Sequence, residues 1–82
     1  MSHILIIGAG GVSRVATIKC AMNADTFTQI TLASRTKSKC DEIAKFIKER
    51  LNVSINTAQI DADDSKAVAK LASDIKADLL LN

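Results

Sequence analysis

The sequence predicts an α/β fold with a Rossmann-like parallel sheet, and three observations predict it. Short apolar runs alternate with longer stretches whose apolar residues recur at helical spacing, in the order β-α-β-α-β-α-β. The first run, residues 4–7, is apolar throughout, as expected of a strand covered on both faces. The glycines Gly8, Gly10 and Gly11 then join that strand to the first helix. Strands alternating with helices pair in parallel, and right-handed crossovers give the spatial order 3-2-1-4. At 82 residues the chain is shorter than the usual domain of roughly 100–150 residues. The expected architecture is therefore incomplete: the first mononucleotide-binding half plus a fourth strand.

Taken in order, His3-Ile4-Leu5-Ile6-Ile7 forms the first strand. Val12, Val15, Ala16 and Cys20 recur at helical spacing and place a helix over residues 11–23. Ile30-Thr31-Leu32-Ala33 is the second strand, closed by Ser34-Arg35-Thr36, with Thr36 a suitable N-cap for the next helix. That helix, over residues 37–51, has the apolar stripe Cys40, Ile43, Ala44, Ile47 and Leu51. Residues 53–60 read as the third strand. Asp64 is the expected cap of a third helix marked by Val68, Leu71, Ala72 and Ile75. Asp78-Leu79-Leu80-Leu81 is a fourth strand, expected to be a core strand with an open outer edge. That edge is a candidate for pairing with a second copy. Residues 1–82 are accordingly read as a truncated N-terminal NAD(P)-binding domain of a longer protein, with its substrate domain absent.

Composition excludes several classes. A net charge of +2 is too weak to mark a nucleic-acid or membrane surface. Phe27 and Phe46 are the only aromatic residues, too few for a base-stacking platform. No apolar run approaches the roughly 20 residues of a membrane span. The N-terminal run is too short for a signal-peptide core, so the expected location is cytoplasmic. Cys20 and Cys40 lie on helical patterns in no metal-like spacing and are expected to be reduced, buried thiols. No Ser-His-Asp, Cys-His or metal-ligand grouping is present, so neither catalytic nor metal-binding residues are assigned. His3 precedes the first strand's core, away from the ligand edge, and is read as inert.

The glycine turn carries the main chemistry. Gly8 permits a tight turn, and Gly10 removes a side chain where a pyrophosphate approaches the backbone. A helix beginning near Gly11 points unsatisfied N–H groups, with the favourable helix dipole, at the phosphates. The third glycine of the G-x-G-x-x-G pattern is replaced by Ser13, which predicts a slightly displaced helix.

The end of the second strand decides which dinucleotide is bound. An NAD site usually places an acid there for the ribose hydroxyls. This chain has Ser34, Arg35 and Thr36, with no carboxylate in residues 33–40. A guanidinium offers phosphate a planar fork and adenine a face, Ser34 and Thr36 can donate hydroxyl bonds, and Lys37 and Lys39 add positive charge. The residues thus point to NADP(H). Asp61, at the end of the third strand, is either an acceptor for the adenine amino group or a solvated loop acid. Asn82, ending the fourth strand, is either a cofactor contact or a frayed terminus. Asp63 and Asp64 are read as capping residues rather than an acid–base pair. A competing reading is a nucleotide-sensing regulatory module. Such modules share the glycine turn but usually carry an acid after the second strand, against which Ser34-Arg35 counts.

The segments ILIIGAGGV, KCA, ITLASRTKSKCDEIA, AQIDADD and DLLLN together resemble the N-terminus of the saccharopine dehydrogenase-like family, in particular its carboxynorspermidine (carboxyspermidine) dehydrogenase branch. The resemblance covers nearly the whole chain, and ASRT followed by a KC-containing helix is more specific than the glycines. It implies an NADPH-dependent oxidoreductase that reductively condenses aspartate semialdehyde with a diamine in polyamine biosynthesis. It further implies that Gly8, Gly10, Gly11 and Val12 hold the pyrophosphate and that Ser34, Arg35 and Thr36 hold the adenosine 2′-phosphate. Asp61 and Ala62 would lie beside adenine. Small-molecule substrates would be bound by a downstream part, leaving these 82 residues catalytically silent alone.

Overall fold

The computed structural model describes residues 2–8 and 10–81. Its elements are β1 (His3–Ile7), α1 (Gly11–Met22), β2 (Gln29–Ser34), α2 (Lys37–Leu51), β3 (Asn56–Gln59), α3 (Ser65–Asp74) and β4 (Leu79–Leu81). The four strands form one sheet ordered β3-β2-β1-β4, parallel at every pairing. The predicted topology and the 3-2-1-4 order are both present.

Strand alternation explains how β1 serves two cores at once. Ile4 and Ile6 face one side, where they meet Ile30 and Leu32 of β2, Cys20 and Ala21 of α1, and Cys40, Ile43 and Ile47 of α2. Leu5 and Ile7 face the other side with Ala33, Ile60 and Val68 of α3. All five residues of β1 are buried: the apolar run Ile4–Ile7, as a strand covered on both faces requires, and His3 before it. Cys20 and Cys40 are free and buried. Burial pushes the Cys20 thiol pKa up, which keeps it protonated and unreactive.

Helix ends follow local chemistry. Asp64 caps α3 as expected, its carboxylate accepting from the Ala67 N–H at 3.1 Å. Thr36 occupies the N-cap position of α2 but its side chain makes no capping bond; the Thr36 carbonyl instead accepts from the Lys39 N–H at 3.1 Å. Asn52 ends α2 in the left-handed region at φ 56°. Lys76 does the same after α3 at φ 55°, where Ala77 N donates to Ala72 O at 2.9 Å.

Two strands differ from expectation. The third was predicted over residues 53–60, but its ladder with β2 begins only at Thr31↔Asn56. Val53 and Ile55 pack instead against the α1–α2 side of the core, on the climb from the end of α2 to the sheet. The fourth was expected to be a core strand from Asp78. Leu79, Leu80 and Leu81 pair with β1 yet remain 42–51% exposed. Asp78 closes the lower end of the sheet: its N–H donates to the His3 carbonyl at 2.7 Å and its carboxylate accepts from the His3 N–H at 2.8 Å. His3 is buried there, with Nε2 2.8 Å from Thr31 Oγ1 and far from the strand ends that carry the glycine turn.

Candidate functional site

The C-terminal ends of β1, β2 and β3 bring three loops to one edge of the sheet, where open parallel sheets bind ligands. Backbone bonds tie the loops together. Gly8 N donates to Ala33 O at 2.7 Å, and Ile60 N donates to Ser34 O at 2.9 Å. The Gln59 side-chain amide donates to the Arg35 carbonyl at 3.1 Å.

The first loop separates two roles that glycine can play. Gly8 sits at φ +108°, a conformation L residues rarely adopt, and a Cβ there would come 3.0 Å from Ser13 Oγ. The fold itself needs this glycine. Gly10, at φ −77°, is in ordinary extended backbone, and a Cβ added to Gly10 or Gly11 would meet nothing within 4 Å. Their bareness answers no demand of the chain's own packing. It leaves a cradle that a Cβ would fill, at the mouth of a helix whose first internal bond is Arg14 N donating to Gly10 O at 2.9 Å. Helix geometry therefore leaves the N–H groups of Gly11, Val12 and Ser13 without intrahelical acceptors. No side chain caps this end and no acid lies in the first turn. The site fits an anion, and a dinucleotide pyrophosphate in particular. Ser13, in place of the third glycine, lies against bare Gly8 and donates to the Ile7 carbonyl at 3.3 Å.

The second and third loops meet through Arg35. Its Nη2 donates to Asp61 Oδ1 at 3.0 Å and to Asp63 Oδ2 at 3.2 Å, with the guanidinium side chain 70% exposed. Asp61 Oδ1 also accepts from the Asp63 N–H at 3.0 Å. That backbone bond, followed by the bond from Arg35, holds the Asp61 carboxyl below its usual pKa. Arg35 is held above its own, first by the bond to Asp61.

Other predicted residues fall as follows. Ser34 is not turned toward the open edge: it is buried, its hydroxyl donates to the Thr36 carbonyl at 2.9 Å, and it lies 3.1 Å from Cys40 Sγ. Thr36 and Ala62 are exposed. Val12 is 86% exposed, so only its backbone N–H is suited to a phosphate. Lys37, expected to add positive charge, lies 3.2 Å from the Asp41 carboxylate. Asn82 lies outside the described residues. In the sequence Asp63 and Asp64 read alike as capping residues; in the structure Asp64 caps α3, whereas Asp63 faces Arg35. The signal that could have separated them is position, because Asp63 falls in the turn that follows a strand end adjacent to β2.

A bare turn opening a helix at the ligand edge of a parallel sheet, with a guanidinium on the neighbouring strand end, defines a dinucleotide-binding domain of Rossmann type. Comparison with known proteins makes this specific: the profile of the saccharopine dehydrogenase NADP binding domain matches residues 4–82, and the chain belongs to that family. NADP(H) is the cofactor of the domain. The chain is 46% identical, over its full length, to a carboxyaminopropylagmatine dehydrogenase of Synechocystis sp.. Over 96% of its length it is 40% identical to a carboxynorspermidine synthase of Vibrio cholerae. It spans about 20% of the length of each of these relatives. A crystal structure of protein Rv1636 from Mycobacterium tuberculosis H37Rv superposes with a TM-score of 0.65 at 23% identity, covering 96% of this chain and 68% of that one. At that identity the likeness speaks to the fold. No helix among the described residues is long and apolar enough to cross a membrane.

Proposed function

We propose that these residues form the N-terminal NADP(H)-binding part of a cytoplasmic oxidoreductase of polyamine biosynthesis. Its reaction would condense aspartate semialdehyde reductively with a diamine to give carboxynorspermidine or carboxyspermidine. The names of the relatives support the reaction class while differing in the amine. Bound NADPH supplies a hydride for an imine carbon. Gly8 shapes the turn; Gly10, Gly11 and the Val12 N–H receive the pyrophosphate. Arg35 and Thr36 receive the 2′-phosphate, while Ser34 supports the corner from within. Asp61 and Ala62 border adenine, and Asn82 reaches toward the middle of the cofactor. Groups that bind the semialdehyde and amine or move protons are assigned to chain outside these 82 residues.

The observation that carries the cofactor reading is Arg35, exposed at the end of β2 where an NAD site would hold an acid. A charge-assisted bond to phosphate contributes about 1.5–3 kcal/mol, on the order of ten- to a hundredfold in affinity. Titrating NADPH and NADH into the wild type and Arg35→Ala tests this. A selective loss of NADPH affinity in the variant is expected; unchanged NADPH affinity overturns the assignment.

A further inference from the structure

Nη2 is the guanidinium nitrogen shared by both of arginine's two-pronged edges: the side edge formed with Nε and the end edge formed with Nη1. It carries two hydrogens, one for each edge. In this structure both carboxylates bound to Arg35 sit on that same nitrogen, Asp61 at 3.0 Å and Asp63 at 3.2 Å. As long as both stay, Nη2 is shared between two carboxylates, and a phosphate entering either fork must compete for that nitrogen.

The two carboxylates are not held equally. Asp61 is anchored a second time by the Asp63 N–H, and its side chain is 54% exposed. The Asp63 carboxylate is 89% exposed and has only the longer bond to Arg35 among the described contacts. If one must leave, Asp63 leaves at lower cost, and Asp61 continues to hold Arg35 in place. We infer that Asp63 is a displaceable counter-ion on Arg35, exchanged for the cofactor's 2′-phosphate, and that it thereby sets the affinity difference between NADPH and NADH. This rests on the reading of Arg35 as the 2′-phosphate ligand. A phosphate dianion offers the charge and paired oxygens that replace a carboxylate; a ribose hydroxyl offers neither, so NADH leaves the ion pair closed. Asp63 therefore acts as a specificity-determining residue that competes with NADPH for Arg35 and is displaced by it. Asp61 is the positioning residue of the pair.

The test is a titration of NADPH and NADH against the wild type, Asp63→Ala, Arg35→Ala and the double variant. NMR chemical shifts follow the weak complexes, and the spectra report that each variant is folded. Asp63→Ala is expected to tighten NADPH by about two- to fivefold, the scale of an exposed ion pair, with NADH unchanged. In the Arg35→Ala background the same substitution is expected to give no gain. Equal or weaker NADPH binding by Asp63→Ala overturns the inference. So does an equal gain for NADH, or a gain that persists without Arg35, since simple charge repulsion produces that. These outcomes differ from failure of the underlying reading, which is marked by Arg35→Ala leaving NADPH affinity unchanged.

Discussion

Ser13 Oγ lies 3.0 Å from the point where Gly8 would carry a Cβ, so the serine that replaces the motif's third glycine is accommodated by the first. The hydroxyl takes up the end of β1, donating to Ile7 O. Gly8→Ala would combine a positive φ of 108° with this close approach. The substitution is expected to destabilise the fold by about 1–3 kcal/mol, the usual cost of a strained backbone position. Urea denaturation followed by circular dichroism measures it. Adding Ser13→Gly should relieve the contact but leave the φ penalty, so rescue is expected to be partial.

Gly11→Ala is expected to separate folding from binding. Gly11 is the first helical residue, and a methyl there meets nothing within 4 Å. Replacing glycine by alanine at a compatible site stabilises by about 0.4–1 kcal/mol through the unfolded chain. The same methyl would stand in the path of a pyrophosphate. A rise in denaturation midpoint together with weaker NADPH binding is the expected pair of results. Retained affinity would show that the cradle is not where the phosphates rest.

Lys76 ends α3 in the left-handed region, where the bond from Ala77 N to Ala72 O closes the helix. For a residue with a Cβ this conformation costs roughly 1–2 kcal/mol, and glycine avoids it. Lys76→Gly should raise the unfolding free energy by about 1 kcal/mol, less whatever extra freedom glycine gives the unfolded chain. The position lies at the opposite end of the sheet from the glycine turn, so NADPH affinity is expected to stay the same.

Much of this fold is legible in the sequence. The uninterrupted apolar run of β1 and the helical stripe of α2 are strong signals because the strand is covered on both faces and the helix buries one, and the strand order follows from crossover handedness. The beginning of β3 was not legible: Val53 and Ile55 are apolar for packing, and apolarity alone does not tell a paired residue from one on the approach. Nor was the fate of Ser34. A hydroxyl at a strand end reads as a ligand donor, while its bond to the Thr36 carbonyl depends on the turn's backbone path. The Arg35–Asp63 pair joins residues 28 positions apart, and only the β2–β3 register brings them together.

Acid sensitivity follows from two carboxylates with lowered pKa values. Asp61 is lowered by the Asp63 N–H and then Arg35. Asp41 is lowered first by the Thr57 hydroxyl, which donates at 2.6 Å, and then by Lys37. A group whose folded pKa lies below its unfolded value, about 3.9 for aspartate, contributes stability that is fully present above that value. The contribution is lost as pH falls from there through the folded pKa. Both groups therefore act in the same direction, and stability is expected to decline below about pH 4 more steeply than in variants lacking them. Asp41→Asn and Asp61→Asn should each flatten the acid limb of a stability profile measured by urea denaturation between neutral pH and pH 3. Because Asp41 joins α2 to β3 through Thr57, Thr57→Val should reproduce part of the Asp41→Asn effect. An acid limb unaltered in all three variants would place the acid-sensitive groups elsewhere in the chain.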